Sequence, residues 1–228
     1  MASKTAHRVS LIFALLILGL VAVNLTLTSP PVCGKLAPNY APIIAFEMAR
    51  SVSDLHAIFG DTPGACRVAI AAQMDLINKI DSFVFIQLYG AFLVFFFIGR
   101  RSRSASIAVA AALIVVAACL ADHVENFALF HLSANPDNAD GIRLLVVATE
   151  IKWVGLGLAA ALAVPLLWNG WLGWLAALLC GTSLLATLAT LVAPAAIGPY
   201  LSNATSLSWL LFLGVDVRES FRSNRGAA

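Results

Sequence analysis

The feature that most limits this chain is a succession of long apolar runs that charged residues hardly interrupt. A helix needs about 20 predominantly apolar residues to cross roughly 30 Å of hydrocarbon. Runs of that kind occupy 9–27, 82–99, 104–126, 144–168 and 171–193. A weaker sixth covers 197–215 and carries Pro199, Ser202, Asn203, Thr205, Ser206 and Ser208, so it is expected to be short, tilted or partly re-entrant. The runs are rich in Ala and Leu and lack the alternation of an outer-membrane β-barrel. Composition agrees: 61% of the 228 residues are hydrophobic and 11% charged, against about 25% charged in a water-soluble domain. A soluble globule and a disordered chain are both excluded. The expected fold is all-α, a polytopic bundle of about six transmembrane helices forming one domain over 1–228. An extracytoplasmic helical cap, 28–80, joins the first two spans.

Basic residues orient the bundle, because positive charge beside the spans stays cytoplasmic. Lys4 and Arg8 precede the first span, Arg100, Arg101 and Arg103 lie between the second and third, and Arg218, Arg222 and Arg225 follow the sixth. Six spans with both termini cytoplasmic put all eight on one side. Most acidic residues fall on the other. This balance suits a bacterial inner membrane and gives no reason to expect a nucleic-acid partner. The first span reads as an uncleaved anchor rather than a signal peptide, since its apolar run is long and no A-x-A follows.

Within the cap, residues 42–59 read as one amphipathic helix, with Ile43, Phe46, Val52, Leu55 and Phe59 near helical spacing and Gly60 ending it. Asp61-Thr62-Pro63 signals a new start. No breaker except Gly90 follows from Ala65 to Phe97, so one long helix is expected to continue into the second span. Cys33 and Cys66 both lie on the external side, where a disulfide between them is plausible.

Ionisable residues inside membrane helices are costly, and so mark candidate sites. Residues equidistant from a hairpin turn lie level. A turn near 101–102 sets Asp81 beside Asp122. A turn within 134–141 sets Asp122 within one residue of Lys152, and Glu125 beside Glu150. Helical spacing puts Asn78, Asp81, Ser82, Phe85 and Tyr89 on one stripe. Asp122, Glu125 and Asn126 share another, and Ala148, Thr149, Lys152, Gly155 and Ala159 a third. Glu150, about 200° around from Lys152, faces a different neighbour. Three carboxylates thus meet one ammonium, and the excess must hold a proton, meet water or bind a cation. The candidate ligand-binding set is Asp81, Asp122, Glu125, Asn126, Lys152 and Tyr89.

The leading functional expectation is a protein that binds or transports a cation, a proton or an amphiphile with a basic head, in contact with membrane lipids. Rival expectations are a lipid-modifying intramembrane enzyme using a carboxylate acid–base pair, and an assembly protein that docks a partner through residues 42–60. No cofactor and no metal are expected: there is no P-loop, and His123 and His131 do not share a face with Asp122.

Overall fold

A computed structural model describes residues 2–24, 32–37 and 40–221. Among them every regular element is helical. The helices are α1 (Ala2–Asn24), α2 (Pro42–Glu47), α3 (Val52–Phe59), α4 (Ala65–Ile80), α5 (Ile86–Gly99), α6 (Ala105–Ala134), α7 (Ala139–Leu167), α8 (Trp171–Thr190) and α9 (Pro194–Phe221). A π-helical turn, Asp81–Phe85, joins α4 to α5.

Packing follows chain order and then closes. Helix α1 packs on α5, α5 on α6, α6 on α7, α7 on α8, α8 on α9, and α9 returns to α1. Small residues allow the closest approach: a Cβ added at Gly155 on α7 would lie 3.1 Å from the Ala118 Cβ on α6. Side chains of α5 to α9 fill the interior, Phe96 stacking on Phe212 with ring centroids 4.3 Å apart.

Five helical stretches are long and apolar enough to cross a membrane among the described residues: Ser3–Val23, Ala65–Gly99, Ala105–Ala134, Ala139–Leu167 and Trp171–Thr190. They extend beyond the expected limits at 9, 126 and 144, because helices outrun the apolar band they carry. The stretch 82–99 is the inner part of one helical rod that starts at Ala65 and includes the π turn. The expected end of the first span, residue 27, lies outside the described residues, as do Arg222 and Arg225.

Helix α9 departs from the expected short or re-entrant segment. It is a continuous helix of 28 residues, roughly 42 Å long at 1.5 Å per residue. Gly198, near its start, faces Tyr40 and Met48 of the cap, and Asp216, near its end, bonds His7 of α1. Thr205 and Ser208 face inward and are bonded locally, whereas Ser202 is half-buried and Ser206 exposed. Ser208 donates to the Thr205 carbonyl (2.7 Å) and Ser183 of α8 to the Thr205 hydroxyl (3.5 Å). Helices tolerate such polar residues when these bonds are made inside the bundle.

The cap also differs from expectation. Residues 42–59 form two helices, not one, because Ser51 caps α3: its hydroxyl accepts from the Asp54 amide (3.2 Å), and Asp54 accepts in turn from the Arg50 amide (2.9 Å). Gly60, at φ 78°, ends α3 in a conformation that suits glycine. Phe46, Leu55, Ile58 and Phe59 are buried against α4, α6 and α7, so α2 and α3 lie over one end of the bundle. The Tyr40 hydroxyl, pushed up to about 12 by burial and by the Glu47 and Asp54 charges, stays protonated and donates to the Pro194 carbonyl (3.5 Å).

Cys33 and Cys66 are joined by a disulfide that ties the start of the cap to the first turn of α4, with a sequence separation of 33. Closing a loop of that length restricts the unfolded chain by about 3–4 kcal/mol. Reductant is therefore expected to lower the melting temperature of the purified protein, and to leave that of a Cys33→Ser, Cys66→Ser double variant unchanged. Equal melting curves for the native chain with and without reductant would remove the disulfide from the fold.

Candidate functional site

Five elements bring ionisable side chains to one place under the cap. Lys152, from the middle of α7, is the centre. Its Nζ lies 2.7 Å from Glu125 Oε2, 2.9 Å from Glu47 Oε2 and 3.3 Å from Asp122 Oδ1. The Tyr89 hydroxyl on α5 donates to Asp122 Oδ2 (2.7 Å), and the Asn126 amide on α6 donates to Asp81 Oδ2 (2.6 Å). Lys152, Asp122, Glu125, Asn126 and Tyr89 are all buried, and Asp81 is half-buried. All six residues nominated from the sequence thus meet in one cluster.

Helix geometry accounts for these contacts. Glu125 and Asn126 lie one turn from Asp122 on α6. Gly90, beside Tyr89, faces Cys119 of α6, three residues before Asp122, so Tyr89 and Asp122 sit at neighbouring heights. Side chains tilt toward a helix N-terminus. On the antiparallel α5 and α6 this tilt raises the tyrosine and lowers the aspartate, so they meet. Asp81 projects from the π turn, an irregularity that recurs at functional sites.

Glu47 is the residue that sequence reasoning missed. It ends α2 and reaches down from the cap, with its carbonyl accepting from the Thr149 hydroxyl (3.2 Å). A carboxylate is disfavoured at a helix C-terminus, and the Lys152 ammonium offsets that cost. The Ser51-x-x-Asp54 capping signal was present in the sequence, and it implies a break that leaves Glu47 at a helix end. Glu150 turns away from the cluster and pairs with Arg50 of the cap (2.9 Å).

Four carboxylates and one ammonium make up the cluster. Three N–H donors match the three carboxylates that touch Lys152, and the fourth, Asp81, is held by Asn126 instead. Neither Glu125 oxygen has an aligned hydrogen bond among the described residues, although Oε2 is at ion-pair distance from Nζ. Buried polar atoms of this kind are rare and costly.

Beside the cluster lies a cavity of about 210 Å³. Glu47, Asp81, Asp122 and Lys152 line its polar wall, and Phe85, Tyr89, Trp153 and Trp209 its aromatic wall. The Tyr89 and Trp209 rings are 5.4 Å apart and Phe85 is 5.5 Å from Tyr89. Carboxylates combined with aromatic faces suit a cation, an alkylammonium included. Among the described residues no group of three or more His, Cys, Asp and Glu side chains is arranged to hold a metal ion; Lys152 itself takes the centre of the carboxylates.

A second buried polar cluster lies at the other end. His7 Nδ1 is 2.6 Å from Asp216 Oδ1, and Ser10 Oγ is within hydrogen-bonding distance of Asp216 Oδ2 (2.5 Å) and of the Phe92 carbonyl (2.8 Å). Its members come from the first and last helices, which no hairpin rule pairs. The serine meets the aspartate rather than the histidine, so the arrangement clamps α1 to α9 and is not a hydrolytic triad.

No protein-family model, no curated protein and no solved structure matches this chain.

Removing the ammonium leaves Glu125 buried without a cation, Asp122 with the Tyr89 hydroxyl alone and the half-buried Glu47 without its counter-ion. Lys152→Met is therefore expected to cost about 3–5 kcal/mol of stability, read as a lowered unfolding midpoint in detergent. Adding Glu125→Gln to Lys152→Met should recover part of the loss. A Lys152→Met protein that melts like the native one would mean that the ammonium does not hold these acids.

Proposed function

We propose that this integral membrane protein binds a cationic ligand in the cavity beside Lys152, and that the bundle crosses the membrane six times with the basic end cytoplasmic. The observation that carries the binding reading is the excess of carboxylates: Glu47, Asp81, Asp122 and Glu125 against one ammonium, next to an aromatic-walled cavity. A ligand cation would stand at the free faces of Asp81 and Asp122. Tyr89 and Asn126 would hold those carboxylates in place, and Lys152 would set the charge that remains for the ligand. Glu47 would couple occupancy to the cap, because it alone among the acids belongs to α2.

The six-crossing reading rests on α9. It runs beside α1 and α8 for the height of the ring, and its C-terminal part meets the N-terminal part of α1. Lys4, Arg8, Arg100, Arg101, Arg103 and Arg218 then share one end, as the positive-inside rule requires. A green fluorescent protein fused to the C-terminus is expected to fluoresce in whole bacterial cells. A dark fusion, with activity instead from a C-terminal alkaline phosphatase, would place that end outside and reduce the count to five.

For the ligand, the test is stabilisation by propylamine, followed as the melting temperature of purified protein. The native chain is expected to gain several degrees at saturation. Asp122→Asn, which keeps the size of the side chain but removes charge, should gain much less. Equal shifts in the two proteins would count against this site.

A further inference from the structure

An apolar groove of about 240 Å³ runs between α1 and α9 on the outside of the bundle. Ile17 and Val21 of α1 and Leu210 and Leu213 of α9 line it. Leu18, Val21 and Leu210 on its rim are exposed on the apolar flank of the bundle. Its inner end is formed by Phe85, Ser206 and Trp209, and the same three residues line the charged cavity. The groove and the cavity are therefore neighbours across one aromatic partition. Phe85 belongs to the π turn, four residues from Asp81, so the partition and a carboxylate share one irregular stretch of backbone.

We propose that the ligand is a single-chain amphiphile with a protonated amine head, taken laterally from the membrane. This inference rests on the cavity reading above and names its ligand class. The head occupies the cavity against Asp81 and Asp122, and the chain lies in the groove between α1 and α9. Charge complementarity selects the head, since the acids outnumber Lys152. Continuity selects the chain, since the groove is apolar along its length and meets the cavity at Ser206. A hydrophilic cation needs no such groove, and an acid-headed lipid would meet repulsion at its inner end.

The test uses the full chain in lipid nanodiscs with an alkylamine that carries a photoreactive diazirine in its tail. A probe with the same tail and a carboxylate head is the comparison. The amine probe is expected to label peptides containing Ile17, Val21, Leu210 or Leu213, about tenfold more than the acid probe, a difference worth about 1.4 kcal/mol. Labelling should fall in Asp122→Asn. It should also fall in Ser206→Trp, where an indole at an exposed position fills the junction. Equal labelling by both heads, or labelling that neither variant reduces, would overturn the proposal as ordinary lipid contact; so would amine labelling confined to other helices. The melting temperature of each variant without probe checks its fold, and Ser206→Phe replaces any variant that fails it. Stabilisation by propylamine that persists beside failed labelling would leave the cavity reading standing and remove the amphiphile alone.

Discussion

The structure turns on one ammonium placed where water is excluded. Lys152 cannot remain charged in an apolar bundle unless acids surround it, and those acids cannot remain buried without it. That mutual dependence draws together α6, α7 and the cap, which also meet through the Arg50–Glu150 ion pair, the Thr149 hydroxyl on the Glu47 carbonyl and apolar side chains. It also leaves a surplus. One positive charge does not neutralise four carboxylates, and the cavity lies on the side where the surplus is exposed.

The cap and the π turn take their meaning from that cluster. Helix α2 ends on Glu47, so the cap carries one of the ammonium's three partners, and the disulfide from Cys33 to Cys66 holds the cap to α4. The π turn lies one helical segment further along the same rod and presents Asp81 and Phe85 to the cavity together. Ring closure by α9 completes the enclosure: Trp209 supplies the aromatic wall opposite the acids, while Ser202 and Thr205 add hydroxyls. At the far end the His7, Ser10 and Asp216 contacts keep α1 beside α9, which sets the width of the groove between them.

Much of this could be read from the residues in order. The apolar runs gave away the helices, and hairpin register put Asp81, Asp122 and Lys152 at one level, because α4–α5, α6 and α7 are successive antiparallel neighbours. Register says nothing about partners outside that succession. Glu47 descends from a capping segment, so its place depends on where α2 stops. Asp216 meets His7 only because six rods close into a ring. The polar residues of α9 suggested a weak segment; Thr205 and Ser208 instead face α8 and the interior, where hydroxyls bond nearby and cost the helix little, while Asn203 and Ser206 lie exposed. The π turn has no proline or glycine to announce it, and nothing in the residues 81–85 marks it in advance.

The central claim is that Lys152 is held in common by the cap and the bundle. A double-mutant cycle on the unfolding free energy, with Glu47→Gln and Lys152→Met singly and together, tests it most directly. The account predicts a coupling of about 1.5 kcal/mol or more between the two positions. Additive losses, with coupling near zero, would mean that the cap rests on the bundle through its other contacts and that the cluster is not a shared site.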